Sequence, residues 1–324
     1  MIRVGIIGDT GYVLGELISL LIHHPDVSLA FVCSEQRSNE RIAQVYASLR
    51  GEIDLRFCNQ YDLSKVDMVF LCGSEALSTR FWASANLPAE LKVVDMASAL
   101  LRETGETQDF VYGLPELNRK RIIRCERVIN PSCVATVVQL ALLPLLKFQK
   151  FPTADIHIHT VLGSTYGVHN EHDAMPFNWL QNNVSLFDLN QTTDYQEVKQ
   201  TLATLAPDYA AELHLTTLRG SFPRGVFMSL YTMCTLSIEE LLSLYEEAFS
   251  DHSFVFVTTD AIDMKQVINT NKAFISLSKQ GDQLQIVCCI DNLLKGAAGQ
   301  AVHNMNLLFG LTEQVGLMLK SPTY

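Results

Sequence analysis

The first fifteen residues constrain the fold more than any other stretch. Ile2 to Ile7 is an apolar run closed by Gly8. Gly8-Asp9-Thr10-Gly11-Tyr12-Val13-Leu14-Gly15 then opens a helix that reaches His24 and stops before Pro25. A short apolar run bounded by glycine is the pattern of a buried strand. Strand, glycine loop and helix, in that order, gather backbone N–H groups and the positive end of a helix dipole at one point, which suits a phosphate group. Gly8 is expected to make the tight turn, Gly11 to let the backbone approach a pyrophosphate, and Gly15 to let helix and sheet pack closely. Thr10 and Tyr12 complete the candidate loop. The spacing is not plain G-x-G-x-x-G, so the strand–loop–helix context carries the reading.

Further strands are predicted at Ser28 to Cys33, Val66 to Cys72, Leu91 to Met96 and Arg127 to Ile129. Strands alternating with helical stretches imply a parallel, doubly wound sheet with crossover helices. After Leu146 the character changes. Asp155 to Leu162 alternates as a half-buried strand does. Asn170 to Gln200 reads as loop plus one helix. Leu213 to Leu218, Gly225 to Leu236, Phe254 to Thr258, Ala273 to Lys279 and Gln283 to Ile290 read as strands of a mostly antiparallel set, with Gly281-Asp282 at the last turn. Ser237 to Ser250 is a capped helix. Gly296 to Phe309 is a small-residue helix placed to return to the first domain. The expected fold class is α/β. A Rossmann-like nucleotide-binding domain spans 1–135 plus 293–324, and an α+β domain for substrate and oligomerisation spans 136–292.

A chain of 324 residues has room for two such cores. With 48% hydrophobic and 18% charged residues it reads as a soluble globular protein, and the net charge of −11 argues against nucleic acid or an anionic membrane as partner. No run approaches the ~20 apolar residues of a membrane span. The N-terminus lacks the pattern of a signal peptide, so a cytoplasmic location is expected. The eight cysteines are scattered without C-x-x-C spacing. Buried free thiols in a reducing compartment are expected, and no metal site.

Cys133 is the exception. It follows Asn130-Pro131-Ser132 at the junction of an apolar strand and the apolar run Val134 to Leu145. A thiol at a helix N-terminus meets unpaired N–H groups and the positive dipole end, both of which favour the attacking thiolate. Downstream of a nucleotide loop, this pattern suggests thioester formation followed by hydride transfer. After the second strand, Ser34, Arg37 and Ser38 surround Glu35; they suit a 2′-phosphate and favour NADP, whereas Glu35 alone would suit ribose hydroxyls.

The loop Gly8-Asp9-Thr10-Gly11-Tyr12, the run Tyr112-Gly113-Leu114-Pro115-Glu116-Leu117-Asn118-Arg119, the stretch Asn130 to Thr136 and the block Asp291-Asn292-Leu293-Leu294-Lys295-Gly296-Ala297-Ala298-Gly299-Gln300-Ala301 occur in that order. Together they resemble the N-acetyl-gamma-glutamyl-phosphate reductases of the semialdehyde dehydrogenase superfamily, in the branch of Bacteroidetes-type bacteria. The resemblance runs from residue 2 to about 320, and the segment from Arg219 to Gly225 adds to it. It implies NADPH-dependent reduction of an N-acetyl or N-succinyl γ-glutamyl phosphate to the semialdehyde, with phosphate release, in arginine biosynthesis. It implies Cys133 as nucleophile, Asn292 at the nicotinamide end, Asn130 and Ser132 beside the substrate, and a homo-oligomer, dimer or tetramer. Gln139 faces either the site or the core.

The chain departs from the family pattern at several points. The family's H-x-H-type segment, which supplies an acid/base, corresponds to Gln191-Thr192-Thr193-Asp194-Tyr195-Gln196-Glu197-Val198, which has no histidine. The family's G-S-T-G-A-G segment is here Gly163-Ser164-Thr165-Tyr166-Gly167-Val168. The phosphate-binding arginine of the S-x-D-Y-R segment is displaced to Arg102, and the glycine before the nucleophile is Ser132. Replacement bases are His169, His172, Asp194 or Glu197. His157 and His159 share one strand face and read as structural or surface residues. The alternative function is a diverged copy that keeps the fold and binds nucleotide with lost or altered catalysis.

Overall fold

Among the described residues, two seven-stranded sheets organise the chain. The computed structural model describes residues 1–84, 87–97, 110–152, 154–167, 176–189, 193–207, 209 and 211–322. The chain divides into two compact units, one mainly Met1–Pro131 with Ala297–Met318, the other mainly Ser132–Tyr166 with Met175–Gly296.

In the first unit, β1 (Ile2–Gly8), α1 (Tyr12–Ile22) and β2 (Val27–Cys33) follow the glycine-loop pattern. β3 (Phe57–Cys58), β4 (Met68–Cys72), α2 (Glu75–Ser84), β5 (Lys92–Asp95), β6 (Val111–Tyr112), α3 (Pro115–Ile122) and β7 (Arg127–Ile129) complete it. The strand order is β3-β2-β1-β4-β5-β7-β6, every pair parallel. Parallel sheets are covered on both faces, so their strands read as continuous apolar runs. Accordingly Val4, Ile6, Val69, Phe70 and Leu71 are all fully buried. β3 and β6, two residues each, carry too little pattern to be seen in the sequence.

The helix Gly299–Leu308 also belongs to this unit, and it is buried through its polar residues. Gln300 Nε2 and Asn304 Nδ2 both donate to the Gly113 carbonyl, at 3.0 and 2.9 Å. Asn304 Nδ2 also donates to Asn130 Oδ1 at 3.1 Å. These bonds explain Gln300 and Asn304: they satisfy a buried carbonyl and a buried amide oxygen that an apolar helix would leave unpaired.

In the second unit, α4 (Cys133–Lys147) is buried from Cys133 through Leu146 and apolar all round, as a core helix must be. It is surrounded by α5 (Thr193–Leu205), α6 (Ile238–Phe249) and one face of the second sheet. That sheet contains β8 (Ile156–Leu162), β9 (Ser185–Leu189), β10 (Leu213–Arg219), β11 (Val226–Met233), β12 (Val255–Thr258), β13 (Ala273–Gln280) and β14 (Gln283–Ile290), in the order β12-β13-β14-β11-β8-β10-β9. β8–β10 and β12–β13 pair in parallel and the other pairs are antiparallel. Ile156, Ile158, Thr160 and Leu162 are buried, while His157 lies on the other face, stacked at 4.8 Å on both His214 and Tyr231. The histidines of this strand are therefore surface residues. β9 corrects the expected loop: its Leu186 and Leu189 are exposed, so the strand lacks the inward alternation that reveals the others. The predicted helix from Gly296 begins instead as a π-turn, Leu294–Ala298, before Gly299.

Candidate active site

In the first unit the glycine loop sits where the sequence predicts. A Cβ on Gly8 would stand 2.2 Å from the Cys72 carbonyl oxygen, so only glycine lets β1 end this close to β4. Over Gly15 lies the ring of Tyr46, 2.9 Å from where a Cβ would be; the residue clears space for this aromatic rather than for the sheet. The same tyrosine reaches Gly11. Its hydroxyl donates to the Gly11 carbonyl at 2.9 Å and accepts from the Gly11 N–H at 3.1 Å. Burial pushes the Tyr46 hydroxyl well above the usual phenol range, so it remains a donor. Thr10 is buried and Tyr12 half exposed.

Beside the loop lies a cleft of about 670 Å³, including its open mouth, lined by Gly8, Asp9, Glu35, Asn59, Tyr61 and Arg80 among others. Ser34, between lining residues Cys33 and Glu35, has a buried hydroxyl with no hydrogen-bond partner among the described residues. A buried, unsatisfied hydroxyl next to a polar cleft fits a polar ligand. Arg37 lies 3.5 Å from Glu40, whereas Arg80 reaches Glu35 at 3.3 Å on the cleft wall. Sequence reasoning chose Arg37 and missed Arg80, which follows a different strand and carries no local motif.

Asn130 also belongs to this unit. Its amide donates to the Ala297 carbonyl at 3.2 Å and accepts from Asn304, which gives it a structural use besides the expected substrate role. Arg102, His169 and His172 lie outside the described residues.

In the second unit the sequence around Cys133 builds a helix start. Ser132 is the N-cap, its Oγ accepting from Ala135 N at 3.1 Å. The Ser132 N–H donates to Glu197 Oε1 at 3.2 Å. Further along, Gln139 Nε2 donates to Thr201 Oγ1 at 3.1 Å, which places Gln139 in the core. Together these bonds lay the Glu197–Thr201 face of α5 along α4. Asp194, three residues before Glu197 and on the same helix face, is buried and accepts from the Tyr166 hydroxyl at 2.5 Å. Arg219, also buried, donates to the Tyr166 carbonyl at 3.0 Å.

Cys133 is 5% exposed. Burial, then Asp194, then Glu197 push its thiol well above the usual range, and hydrogen bonds from the Val134 and Cys133 backbone N–H groups oppose this only in part. Against the expected pull of the helix mouth toward thiolate stand desolvation and two carboxylates, which act in the opposite direction.

Two elements from the Asp291 block complete the surroundings. A Cβ on Gly296 would stand 2.4 Å from Cys133 Cβ, so this glycine lets the π-turn lie directly against the thiol residue. Asp291, fully buried, holds the turn: it accepts from Leu293 N at 2.9 Å, Leu294 N at 3.1 Å and Asn269 N at 2.8 Å, and pairs with Arg224 at 3.0 Å. Asn292, expected at the nicotinamide end, accepts from Gly225 N at 2.7 Å and donates to Thr165 Oγ1 at 3.0 Å, fixing the residue before Tyr166. Gly296, Tyr166 and Arg219 were not picked out as site residues. Each meets its partners across a long sequence separation that spacing does not encode.

Comparison with known proteins gives the following. Residues 3–124 match the semialdehyde dehydrogenase NAD binding domain, and residues 133–292 the semialdehyde dehydrogenase dimerisation domain. The chain is 43% identical to the N-acetyl-gamma-glutamyl-phosphate reductase of Phocaeicola vulgatus, over 100% of both chains. Identity to the protein of the same name in Bacteroides thetaiotaomicron is 43%, again over 100% of both, and in Flavobacterium johnsoniae 41% over 99% of both. Among solved structures, aspartate semialdehyde dehydrogenase II of Vibrio cholerae, complexed with ASA, superposes with a TM-score of 0.72 at 17% identity, covering 96% of this chain and 98% of that one. The aspartate semialdehyde dehydrogenase of Candida albicans, with NADP, gives a TM-score of 0.71 at 16% identity, covering 95% and 99%. At these identities the structures speak for the fold alone.

Proposed function

The chain belongs to the N-acetyl-gamma-glutamyl-phosphate reductases of the semialdehyde dehydrogenase family, and from that premise we propose that it reduces an N-acylated γ-glutamyl phosphate to the semialdehyde, with NADPH as reductant and Cys133 as nucleophile. The observation that carries the reading is a buried cysteine at the first position of α4, behind the Ser132 cap and beside a helix start on which Glu197 is bonded. The first unit takes the dinucleotide and the second takes the acyl phosphate. When bound, the dinucleotide supplies the hydride. Gly8, Thr10, Gly11, Tyr12 and Gly15 form the phosphate loop, and Ser34 with Arg37 or Arg80 holds the ribose end.

The chemistry at Cys133 follows from its atoms. Sulfur, having lost its proton, attacks the carbonyl carbon of the acyl phosphate, and the C–O bond to phosphate breaks. The backbone N–H groups of Cys133 and Val134 stabilise negative charge on the sulfur before attack and on its departure. The resulting thioester is reduced at carbon, and the C–S bond then breaks to release the aldehyde. Ser132 frames the acyl group, and Asn292 fixes the neighbouring Thr165 loop. The family's dimerisation domain supports a homo-oligomer, dimer or tetramer, in which the outward face around His157 and Tyr231 meets a second copy.

The raised thiol supports a second reading, a diverged copy that binds nucleotide with altered catalysis. The test is phosphate-dependent NADPH formation from N-acetyl- and N-succinyl-glutamate semialdehyde, with Cys133→Ala as control. A rate well above the control with either substrate is expected. A rate equal to it with both substrates would overturn the reductase reading in favour of the second.

A further inference from the structure

Among the described residues, Cys33 and Cys58 are the two cysteines that strand pairing sets side by side. They are register partners at the end of the parallel pair β2–β3, within the first unit. Neighbouring strands run about 4.7–4.9 Å apart, and a disulfide joins Cα atoms about 4.4–6.8 Å apart. Register partners also present their side chains to the same face of a sheet. Here that face is the core of Ile7, Val69, Leu71 and Val93, in which Cys33 is buried and against which Cys58 packs. The Cys58 Sγ–H donates to the Val32 carbonyl at 3.5 Å, so its sulfur lies against the peptide that joins Val32 to Cys33. Cys288 and Cys289, by contrast, follow one another on β14 and so point to opposite faces.

Both strands lead into the cleft beside the glycine loop. Cys33 and Glu35 line it from the end of β2, and Asn59 and Tyr61 from the segment after β3. The Ser34 N–H ties the two walls at this level, donating to the Cys58 carbonyl at 2.9 Å.

We propose that Cys33 and Cys58 are a redox-sensitive pair, which a hydroperoxide converts to a disulfide that weakens dinucleotide binding. The consequence for binding rests on the reading of this cleft as the dinucleotide site. Cys58, half-buried, meets the oxidant first; Cys33 is buried, and burial followed by Cys58 itself raises its thiol. The Cys58 sulfur attacks one oxygen of hydrogen peroxide, the O–O bond breaks, and water leaves a sulfenic acid behind. The Cys33 sulfur then attacks the Cys58 sulfur, the S–O bond breaks, and a second water leaves with the Cys33 proton. The two thiols lose two electrons and two protons, and the peroxide takes them up as two waters. Disulfides most often hold their Cα atoms about 5.5–6 Å apart, so the bridge widens the strand spacing by roughly 1 Å. That stretch falls on the bond from Ser34 to Cys58 and moves Glu35 away from Asn59 and Tyr61.

The test treats the reduced whole chain with hydrogen peroxide, removes the peroxide, and maps the peptides without reduction. NADPH affinity is titrated by fluorescence before oxidation, after it, and again after dithiothreitol. A peptide joining Cys33 to Cys58 is expected, lighter than its parts by two hydrogen atoms. The Kd for NADPH should rise about tenfold, the effect of one lost hydrogen-bonded contact, and return with dithiothreitol. Cys58→Ala should bind NADPH like the wild type and keep that affinity after peroxide. Saturating NADP should slow the cross-link, because Cys33 lines the cleft. Peroxide that leaves both thiols free, or that links Cys33 to another cysteine, overturns the proposal. So does a bridge with unchanged Kd, or an equal loss of affinity in peroxide-treated Cys58→Ala. If Cys58→Ala does not fold, Cys58→Ser takes its place, and the peptide map of the unmutated chain needs no variant. If the reduced chain binds no dinucleotide, the reading of the cleft fails separately. The map then decides for the pair alone: a Cys33–Cys58 bridge supports it, and its absence overturns it.

Discussion

Replacing Gly296 by alanine sets a methyl group against the residue that carries the thiol. The added carbon would lie 2.4 Å from Cys133 Cβ, 3.2 Å from Cys133 Cα and 3.3 Å from the Asp291 carbonyl oxygen. Carbon atoms rest about 3.5–4.0 Å apart, so a shift of about 1 Å is needed. The π-turn is poorly placed to supply it. Gly296 N donates to Asp291 O at 2.9 Å, and the Asp291 carboxylate is held by Arg224 and by backbone N–H groups on both sides. The movement therefore falls on the first turn of α4. Overpacking of this kind costs about 1–3 kcal/mol. Displacing a reacting group by about 1 Å costs on the order of 10²-fold in rate. Urea unfolding of Gly296→Ala should show a stability loss of about 2 kcal/mol within that range. Steady-state kinetics should show kcat down about 10²-fold, with the KM for the dinucleotide unchanged. Wild-type stability together with wild-type turnover would refute the reasoning, because it would mean that the turn and the nucleophile do not touch.

The remaining expectations concern the first unit. Arg80→Ala should raise the KM for NADPH at least tenfold and leave that for NADH within twofold if Arg80 holds a 2′-phosphate, a charge-assisted contact worth about 1.5–3 kcal/mol; the same split in Arg37→Ala alone would return the role to Arg37. Tyr46→Phe removes both hydrogen bonds to Gly11 and should cost about 1–3 kcal/mol in urea unfolding, with a changed dinucleotide affinity by titration. Arg3 pairs with Asp67 at 2.6 Å, and that contact holds the Asp67 carboxyl below the usual range. A depressed carboxyl contributes stability above its unfolded pKa and loses it as pH falls through the folded value. The pair is largely exposed, so Arg3→Ala should lower the urea midpoint only slightly at pH 7, and the deficit should shrink below about pH 4. A deficit that grows on acidification would contradict the assigned sign.

Much of this was legible because local chemistry and fold agree. The Ser237 cap is one case: its hydroxyl accepts from Glu240 N at 3.1 Å and Glu240 returns a bond to Ser237 N at 2.7 Å, as the spacing predicts. β8 is another, since alternation in the sequence becomes alternation of burial. What escaped notice lacks such a local signature. β9 turns its leucines outward, and β3 and β6 are too short to carry a period. Tyr46 gives no sequence hint that its ring covers Gly15 and its hydroxyl bonds Gly11. The Asp291 block was recognised as a motif, yet its physical task is a pairwise one: Asp291 organises a turn whose glycine must touch Cys133.

At Cys133 the motif names one influence on the thiol among several. A helix N-terminus favours a negative charge by about 0.3–1 kcal/mol at the surface and up to ~2 kcal/mol when partly buried. Burial acts on the thiol in the other direction and is the largest influence on it. Asp194 and Glu197 act in the same direction as burial. The balance depends on which side chains α5 presents at that point, and this requires the helix register set by Glu197 on Ser132 and Thr201 on Gln139. A resting thiol is also a weak nucleophile and slow to oxidise. At Cys133 burial is the first influence and the acids of α5 the second, so the environment of the thiol depends on the packing of α5 as well as on the helix on which it sits.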